Sequence, residues 1–130
     1  MKKSVWVLSL IVLTIGVAVN TGCKKSDDSF DITDGSWAFH LVAGGDSSSL
    51  VYSFRGDKGQ GSVYFNSENR GSYTVTGTLI NFTVNHYDVA GALYVYVYTG
   101  TSRDYFYMSG NFSVTYPGGS VISGTWSAER

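Results

Sequence analysis

Apolar and polar positions alternate through the chain from Gly35 onward, in short segments separated by turn-forming residues. The clearest segment places Ile80, Phe82 and Val84 on one face, with polar residues between them. A period of two is that of a β-strand with one buried face. Seven turn signals, rich in Gly, Asn and Asp, separate eight such segments. The predicted strands are residues 36–42, 48–55, 61–66, 72–75, 78–86, 92–98, 104–116 and 120–128.

The connections between these segments are too short for the crossovers that parallel strands need, so we expect antiparallel hairpins. Eight sequentially paired strands can close into an up-and-down barrel, which leaves no exposed sheet edge. The sequence therefore predicts an all-β domain over residues 35–130, a single eight-stranded antiparallel up-and-down barrel, with a two-sheet β-sandwich as the alternative. The composition, with 10 Tyr, 7 Phe, 3 Trp, 16 Gly and one Pro, is typical of strands joined by tight turns.

Alternation also assigns the side chains that we expect in the interior. The predicted interior residues are Trp37, Phe39, Leu41, Leu50, Tyr52, Phe54, Val63, Phe65, Tyr73, Val75, Ile80, Phe82, Val84, Phe106, Met108, Phe112, Val114, Ile122 and Trp126. Ten of them are aromatic. An eight-stranded barrel is just wide enough to be filled by its side chains or to hold one small ligand. A packed core is thus the main expectation, and a small cavity the alternative.

The first 22 residues have the layout of a secretory signal peptide. A cationic start precedes an apolar run over residues 5–19, and small polar residues lead into Cys23. The run of about 15 residues is shorter than the about 20 that a membrane-spanning helix needs. A retained membrane helix over residues 4–22 is the alternative. Residues 23–34 are predicted to be a lipidated N-terminus and polar tether, because the charged residues 24–28 cannot bury apolar surface and are typical of a solvated segment.

Cys23 is the sole cysteine, and it directly follows Thr21 and Gly22. This arrangement resembles bacterial lipoproteins, in which the cysteine after a small residue becomes the mature N-terminus. The resemblance implies a diacylglyceryl group on the Cys23 sulfur and a palmitate-type acyl chain on its amine. It also implies an outer-membrane protein of the cell envelope, since two or more acyl chains anchor a protein stably. The acidic pair Asp27 and Asp28 is similar to surface-export signals of Bacteroidota lipoproteins.

Gly35-Ser36-Trp37 opens the first predicted strand, and Asp104-Tyr105 falls between the sixth and seventh predicted strands. With eight strands, this pattern resembles the lipocalin and calycin barrels, which carry G-x-W and T-D-Y motifs at these places. Arg103 stands here for the Thr of the second motif. The resemblance implies that Trp37 closes one end of the barrel, that Arg130 packs over it, and that the barrel holds a small apolar ligand.

Tyrosines alternate with apolar residues through the hairpin of residues 92–110. A turn centred on Thr101-Ser102 would direct Val95, Val97, Phe106 and Met108 inward. Five tyrosines would then gather on the outer face, where rigid amphipathic rings could bind a glycan or an envelope protein. A shift of one residue would turn them into the lumen, and cross-strand aromatic pairing could give them a purely structural role. The candidate binding residues are Tyr94, Tyr96, Tyr98, Tyr105 and Tyr107.

Composition and motifs argue against several other functions. The charges nearly balance, with 9 basic and 10 acidic residues, so nucleic acid is not an expected partner. The two histidines, His40 and His86, cannot form a zinc site, which needs three or four ligands. No nucleophile elbow, phosphate-binding loop or inward carboxylate pair is evident. We expect no enzyme, no metal and no cofactor.

These observations predict a lipid-anchored, non-enzymatic envelope protein, whose barrel binds a small apolar molecule or a glycan. The alternative is a structural or protein-interaction module with a filled core and an exposed tyrosine patch.

Overall fold

A computed structural model describes residues 30–130, and every regular element in that range is a strand. The strands are β1 (Ser36–Ala43), β2 (Asp46–Gly56), β3 (Gln60–Phe65), β4 (Glu68–Thr76), β5 (Leu79–Tyr87), β6 (Leu93–Asp104), β7 (Tyr107–Thr115) and β8 (Val121–Glu129). No helix in the described residues is long and apolar enough to span a bilayer. The predicted signal segment, Cys23 and most of the predicted tether lie outside the described residues.

Each strand pairs antiparallel with the next, and β8 pairs with β1 to close the sheet. The predicted eight-stranded up-and-down barrel is therefore confirmed, and the sandwich alternative is wrong. Two-residue loops join several strands, as at Asn66 and Ser67, which both have positive φ. Two consecutive positive φ values give a turn whose twist matches that of the flanking strands. Gly44 and Gly45 provide the same left-handed backbone between β1 and β2.

Alternation assigned the faces of β1, β2 and β5 correctly. Trp37, Phe39 and Leu41 are at most 3% exposed, and so are Ile80, Phe82 and Val84. Five predicted interior residues do not lie in the buried core: Leu50, Phe65 and Val75 are half-buried, and Phe106 and Ile122 are exposed. Phe106 is 61% exposed because it lies in the loop between β6 and β7. Ile122 is 44% exposed because it lies near the start of β8, at the open rim of the barrel.

The hairpin of β6 and β7 differs from the predicted one. β6 continues through Ser102 to Asp104, with a bulge before the loop of residues 105–106. Tyr98 consequently pairs with Phe112, and Tyr96 pairs with Val114. Tyr94, Tyr96 and Tyr98 therefore share the inward side of β6, whereas Val97 is 40% exposed. The expectation of an outward tyrosine face with Val95 and Val97 inside is therefore wrong for β6, whereas on β7 Tyr107 lies outward and Met108 inward, as predicted.

Aromatic rings fill the middle of the barrel. Phe39 packs against Tyr52 at a centroid distance of 5.0 Å and stacks on Trp126 at 5.2 Å. Phe82 stacks on Tyr98 at 4.4 Å with the rings nearly parallel. These five residues, the central aromatic cluster, are at most 3% exposed. Aromatic rings bury about 150–250 Å² each, so the cluster leaves no continuous channel through the lumen.

Inward-facing glycines make room for these rings. Gly100 pairs with Gly110 across β6 and β7, and a Cβ on Gly100 would come within 2.6 Å of the Trp126 ring. A Cβ on Gly124 would likewise come within 2.9 Å of the Phe112 ring. Real Cβ atoms do not approach so closely, and a Cβ would come still nearer to the carbonyl oxygens of Ser109 and Val42, so glycine at both positions accommodates the neighbouring strands as well as these rings.

The barrel has two different ends. At the closed end lie residues 31–35, the loops of residues 57–59, 77–78 and 105–106, and Arg130. At the open end lie the loops of residues 44–45, 66–67, 88–92 and 116–120.

Candidate functional site

The closed end is covered by the residues that precede β1 and by the residue that follows β8. Trp37 is fully buried, and its indole N–H donates to the Ile32 carbonyl at 2.9 Å. The Arg130 guanidinium lies over the Trp37 ring at 4.2 Å and over the Tyr105 ring at 4.0 Å. Arg130 thus stacks between two rings, in an arrangement that cation–π attraction favours.

Hydrogen bonds hold Arg130 in this position. It donates from Nε to the Tyr105 carbonyl at 2.8 Å and from its NH1 group to the carbonyls of Asp34, at 2.6 Å, and Asp31. These bonds join the residues before β1 to the residue after β8. Ile32 is also fully buried, so these residues together cover the closed end.

The open end carries a recess of about 190 Å³, which we call the mouth recess. At the open end, it lies between β1 and β2 on one side and β6, β7 and β8 on the other. Its apolar lining consists of Leu41, Ala43, Phe112, Val114 and Ile122. Its polar lining consists of Asp46, Ser47, Ser48, Tyr96 and Tyr116.

The size of the mouth recess limits what it can hold. Pockets that enclose drug-sized ligands measure about 300–1,000 Å³, whereas an apolar cavity of about 150 Å³ accommodates benzene. The mouth recess, at about 190 Å³, therefore suits one ring or a group of similar size. Larger depressions exist, such as one of about 480 Å³ beside Ser62, Ser72 and Thr74, but these side chains face outward.

A chain of polar groups lies beneath the mouth recess. The Tyr52 hydroxyl is hydrogen-bonded to His86 Nε2 at 2.6 Å and to the Tyr98 hydroxyl at 2.7 Å. The His86 ring also contacts Tyr96 at a centroid distance of 4.8 Å. The chain therefore runs from the recess lining into the core. If Tyr98 donates to Tyr52 and Tyr52 donates to His86 Nε2, both hydroxyl protons have an acceptor within the chain, whereas the reverse direction leaves the Tyr98 proton without one there.

Burial changes the protonation of this chain. It raises the pKa of both Tyr52 and Tyr98 well above the usual value for tyrosine, so both stay neutral. Burial also lowers the pKa of His86, and the positive charge of Arg70 lowers it further. His86 is therefore neutral at pH 7. A neutral chain of phenols and an imidazole can both donate and accept hydrogen bonds.

The five candidate tyrosines do not form one surface. Tyr98 is buried in the core, Tyr96 is half-buried in the recess lining, and Tyr94 lies at the rim with its ring 5.2 Å from that of Tyr116. Tyr105 covers Arg130 at the closed end, and Tyr107 lies on the outer side under the Arg103 guanidinium. The structure thus brings together Tyr94 and Tyr96, and it separates them from Tyr105 and Tyr107.

Sequence reasoning missed His86, Tyr116 and Asp46 as parts of this region. His86 follows Val84 by two positions and so shares the inward side of β5, a signal that alternation does contain. Tyr116 and Asp46 lie next to loops, where alternation stops, so no periodic signal indicates which way they point.

Residues 30–130 hold no group of three or more His, Cys, Asp and Glu side chains placed to share a metal ion. Comparison with known proteins finds no matching family model, no matching curated protein and no matching solved structure.

Proposed function

We propose that this chain is a lipid-anchored protein of the cell envelope, with its lipid on Cys23, and that it works as a binding module and not as an enzyme. The bound group is small, about one ring in size, and it enters at the open end. One observation carries the proposal: the lumen is filled by the central aromatic cluster and sealed by Trp37 and Arg130, and the mouth recess remains.

The position of the tether agrees with this function. Residues 31–34, which the sequence assigned to the tether, instead pack at the closed end, where β1 begins and Ile32 is fully buried, so the chain enters the barrel at this end. The mouth recess is therefore at the end of the barrel farther from the attachment point. An anchored module arranged in this way keeps its binding end available to the surroundings.

The anchoring part is tested by native mass spectrometry of the protein extracted from its own membranes. We expect a chain that begins at Cys23 with the mass of a diacylglyceryl group and one further acyl chain. The variant Cys23→Ser should leave the membrane fraction. Recovery of the unaltered protein in the cytoplasmic fraction, with Met1 and a free thiol, would refute the anchor.

The binding part is tested with probes of different length. We expect ring-sized molecules to shift NMR signals of Tyr96 and Tyr116, and a long-chain fatty acid to leave Phe39 and Phe82 unaffected. A fatty acid that saturably shifts the central aromatic cluster would show instead that the lumen opens to take a lipid.

A protein partner is the second candidate, and one observation favours it. Apolar side chains are exposed around the open end: Val89 is fully exposed, Val121 is 59% exposed and Tyr87 is 51% exposed. Apolar side chains exposed at one end of a barrel supply the contact surface that a protein partner needs when they form a contiguous patch. A photo-crosslinking residue at Val89, compared with one at Ser62 on the outer side of β3, would yield an adduct with one defined envelope protein if this candidate holds.

A further inference from the structure

Aromatic rings and a carboxylate surround the mouth recess, and no lysine or arginine is part of its lining. Tyr96, Phe112 and Tyr116 contribute the rings, and Asp46 contributes the carboxylate. The face of an aromatic ring carries partial negative charge, so rings around a small volume attract a cation. A carboxylate adds a full negative charge to the same volume.

The rings have a defined arrangement. Tyr96 and Phe112 lie nearly parallel, with an interplanar angle of 12° and centroids 6.4 Å apart. Tyr116 stands at 69° to Tyr94, whose hydroxyl donates to the Asp88 carboxylate at 3.5 Å. Burial raises the pKa of Tyr96, and the neighbouring Tyr116 and Tyr94 raise it further. The three phenols are thus close together, and Tyr96 remains neutral.

The surrounding charges reinforce the negative character of this end. The charged residues of the open-end loops and adjoining strand ends are Asp46, Glu68, Arg70 and Asp88. The single cation among them, Arg70, forms an ion pair with Glu68. Asp46 and Asp88 therefore leave the open end with a net negative charge, which raises the local concentration of small cations.

We propose that the mouth recess binds a small organic ammonium ion, with its cationic head against the rings of Tyr96, Phe112 and Tyr116 and its charge near Asp46. This inference rests on the proposed function, since it names the ligand class of the same recess. A volume of about 190 Å³ matches a trimethylammonium or a protonated cyclic amine head group. An anion finds no basic group here, and a neutral sugar makes no use of the negative charge.

The test is a titration of the full mature lipoprotein in polyoxyethylene detergent micelles, which carry neither charge nor sugar. The probes are choline, its neutral isostere 3,3-dimethylbutan-1-ol, and glucose, and the readout is the aromatic ¹H–¹³C NMR spectrum. We expect choline to shift the ring signals of Tyr96 and Tyr116 saturably, and the isostere to bind at least about tenfold more weakly.

Two outcomes overturn the ammonium assignment and leave the proposed function intact. Either the isostere binds as tightly as choline, or glucose shifts the recess signals and choline does not. A third outcome, in which none of the three probes shifts any signal of the recess, rejects both the ammonium assignment and a ring-sized site.

Single substitutions locate the binding. Tyr116→Ala and Asp46→Asn should each weaken choline binding by about two- to fivefold, and together by about tenfold. Both residues are exposed, so neither change threatens the fold. The matched controls, Tyr107→Ala on the outer face and Asp57→Asn at the closed end, should leave choline binding unchanged. Equal choline affinity in the recess variants and the controls would contradict the assignment.

Discussion

The two ends of the barrel are built from the same eight strands, yet only one is sealed. At the closed end, the residues before β1 and the residue after β8 meet, and Arg130 lies between Trp37 and Tyr105. At the open end the strands finish in short loops, and within residues 30–130 no segment lies over it as residues 31–35 and Arg130 lie over the closed end. The described residues on either side of the strands therefore cover one end and leave the mouth recess at the other.

Packing differs between the ends as well. Inward residues near the closed end are Trp37, Phe54, Ile80 and Met108, all at most 1% exposed. Near the open end, the inward positions of β2 carry Asp46 and Ser48, and Ile122 is 44% exposed. The buried residues of the closed end therefore contribute more to the free energy of unfolding. The open end leaves an accessible surface, and exposing it costs the fold little stability.

The largest expected difference comes from substituting one inward residue at each end. Trp37→Ala should lower the free energy of unfolding by about 3–5 kcal/mol, since it opens a cavity and removes the ring under Arg130. Ile122→Ala at the rim should lower it by about 1 kcal/mol or less. Chemical denaturation measures both values. Similar losses for the two variants would contradict the contrast in packing.

The arginine at the closed end has a matched control on the outer face. Arg130→Ala should destabilise the protein by about 2–3 kcal/mol, because it removes two ring contacts and leaves the partly buried carbonyls of Asp31 and Tyr105 without their charged donor. Arg103 lies over Tyr107 at a similar distance of 4.1 Å, but its side chain is 71% exposed, so Arg103→Ala should cost about 1 kcal/mol or less. Thermal unfolding of the two variants side by side tests this, and a greater loss for Arg103→Ala is the adverse result.

The polar chain below the open end predicts a smaller effect. Tyr52→Phe should cost about 1–2 kcal/mol, because it removes both hydrogen bonds and leaves the Tyr98 hydroxyl and His86 without this partner. Tyr64→Phe, on the outward side of β3, should change stability by at most about 0.5 kcal/mol. If urea denaturation gives equal values for the two variants, the chain is not a stabilising element.

The smallest effect is a dependence on pH. Because the pKa of His86 is lowered in the folded protein, the unfolded chain binds a proton at His86 more readily. The stability due to neutral His86 is fully present above about pH 6.5, the unfolded value, and it is lost as the pH falls through the folded pKa. The difference in melting temperature between the protein and the His86→Gln variant should shrink as the pH is lowered from 8 to 5. A difference that stays constant over this range would contradict the prediction.

Much of the fold could be predicted from the sequence, because most strands have a clear apolar and a clear polar side. In β5, Ile80, Phe82 and Val84 alternate with polar residues, and one face must be buried. The eight strands, their order and the closed barrel follow from such patterns and from short connections. Trp37 and Arg130 could be paired only through the resemblance to lipocalins.

The hairpin of β6 and β7 could not be predicted in the same way, because both sides of β6 are apolar or aromatic. Leu93, Val95 and Val97 occupy one side, and tyrosines occupy the other. The choice depends on tertiary contacts: Tyr98 stacks on Phe82, and the Gly100–Gly110 pair accommodates Trp126. The mouth recess could not be predicted for a related reason. Its lining comes from strand ends, and the register of β6 and β7 decides which of their side chains face inward.

The contrast between the ends is tested most directly by paramagnetic relaxation from a small, neutral, water-soluble nitroxide, measured on the aromatic NMR signals. The account predicts strong broadening of Tyr96 and Tyr116, and none of Phe39, Tyr52 and Phe82. Broadening of Phe39 and Phe82 comparable to that of Tyr116 would show a lumen open to solvent and would contradict the account.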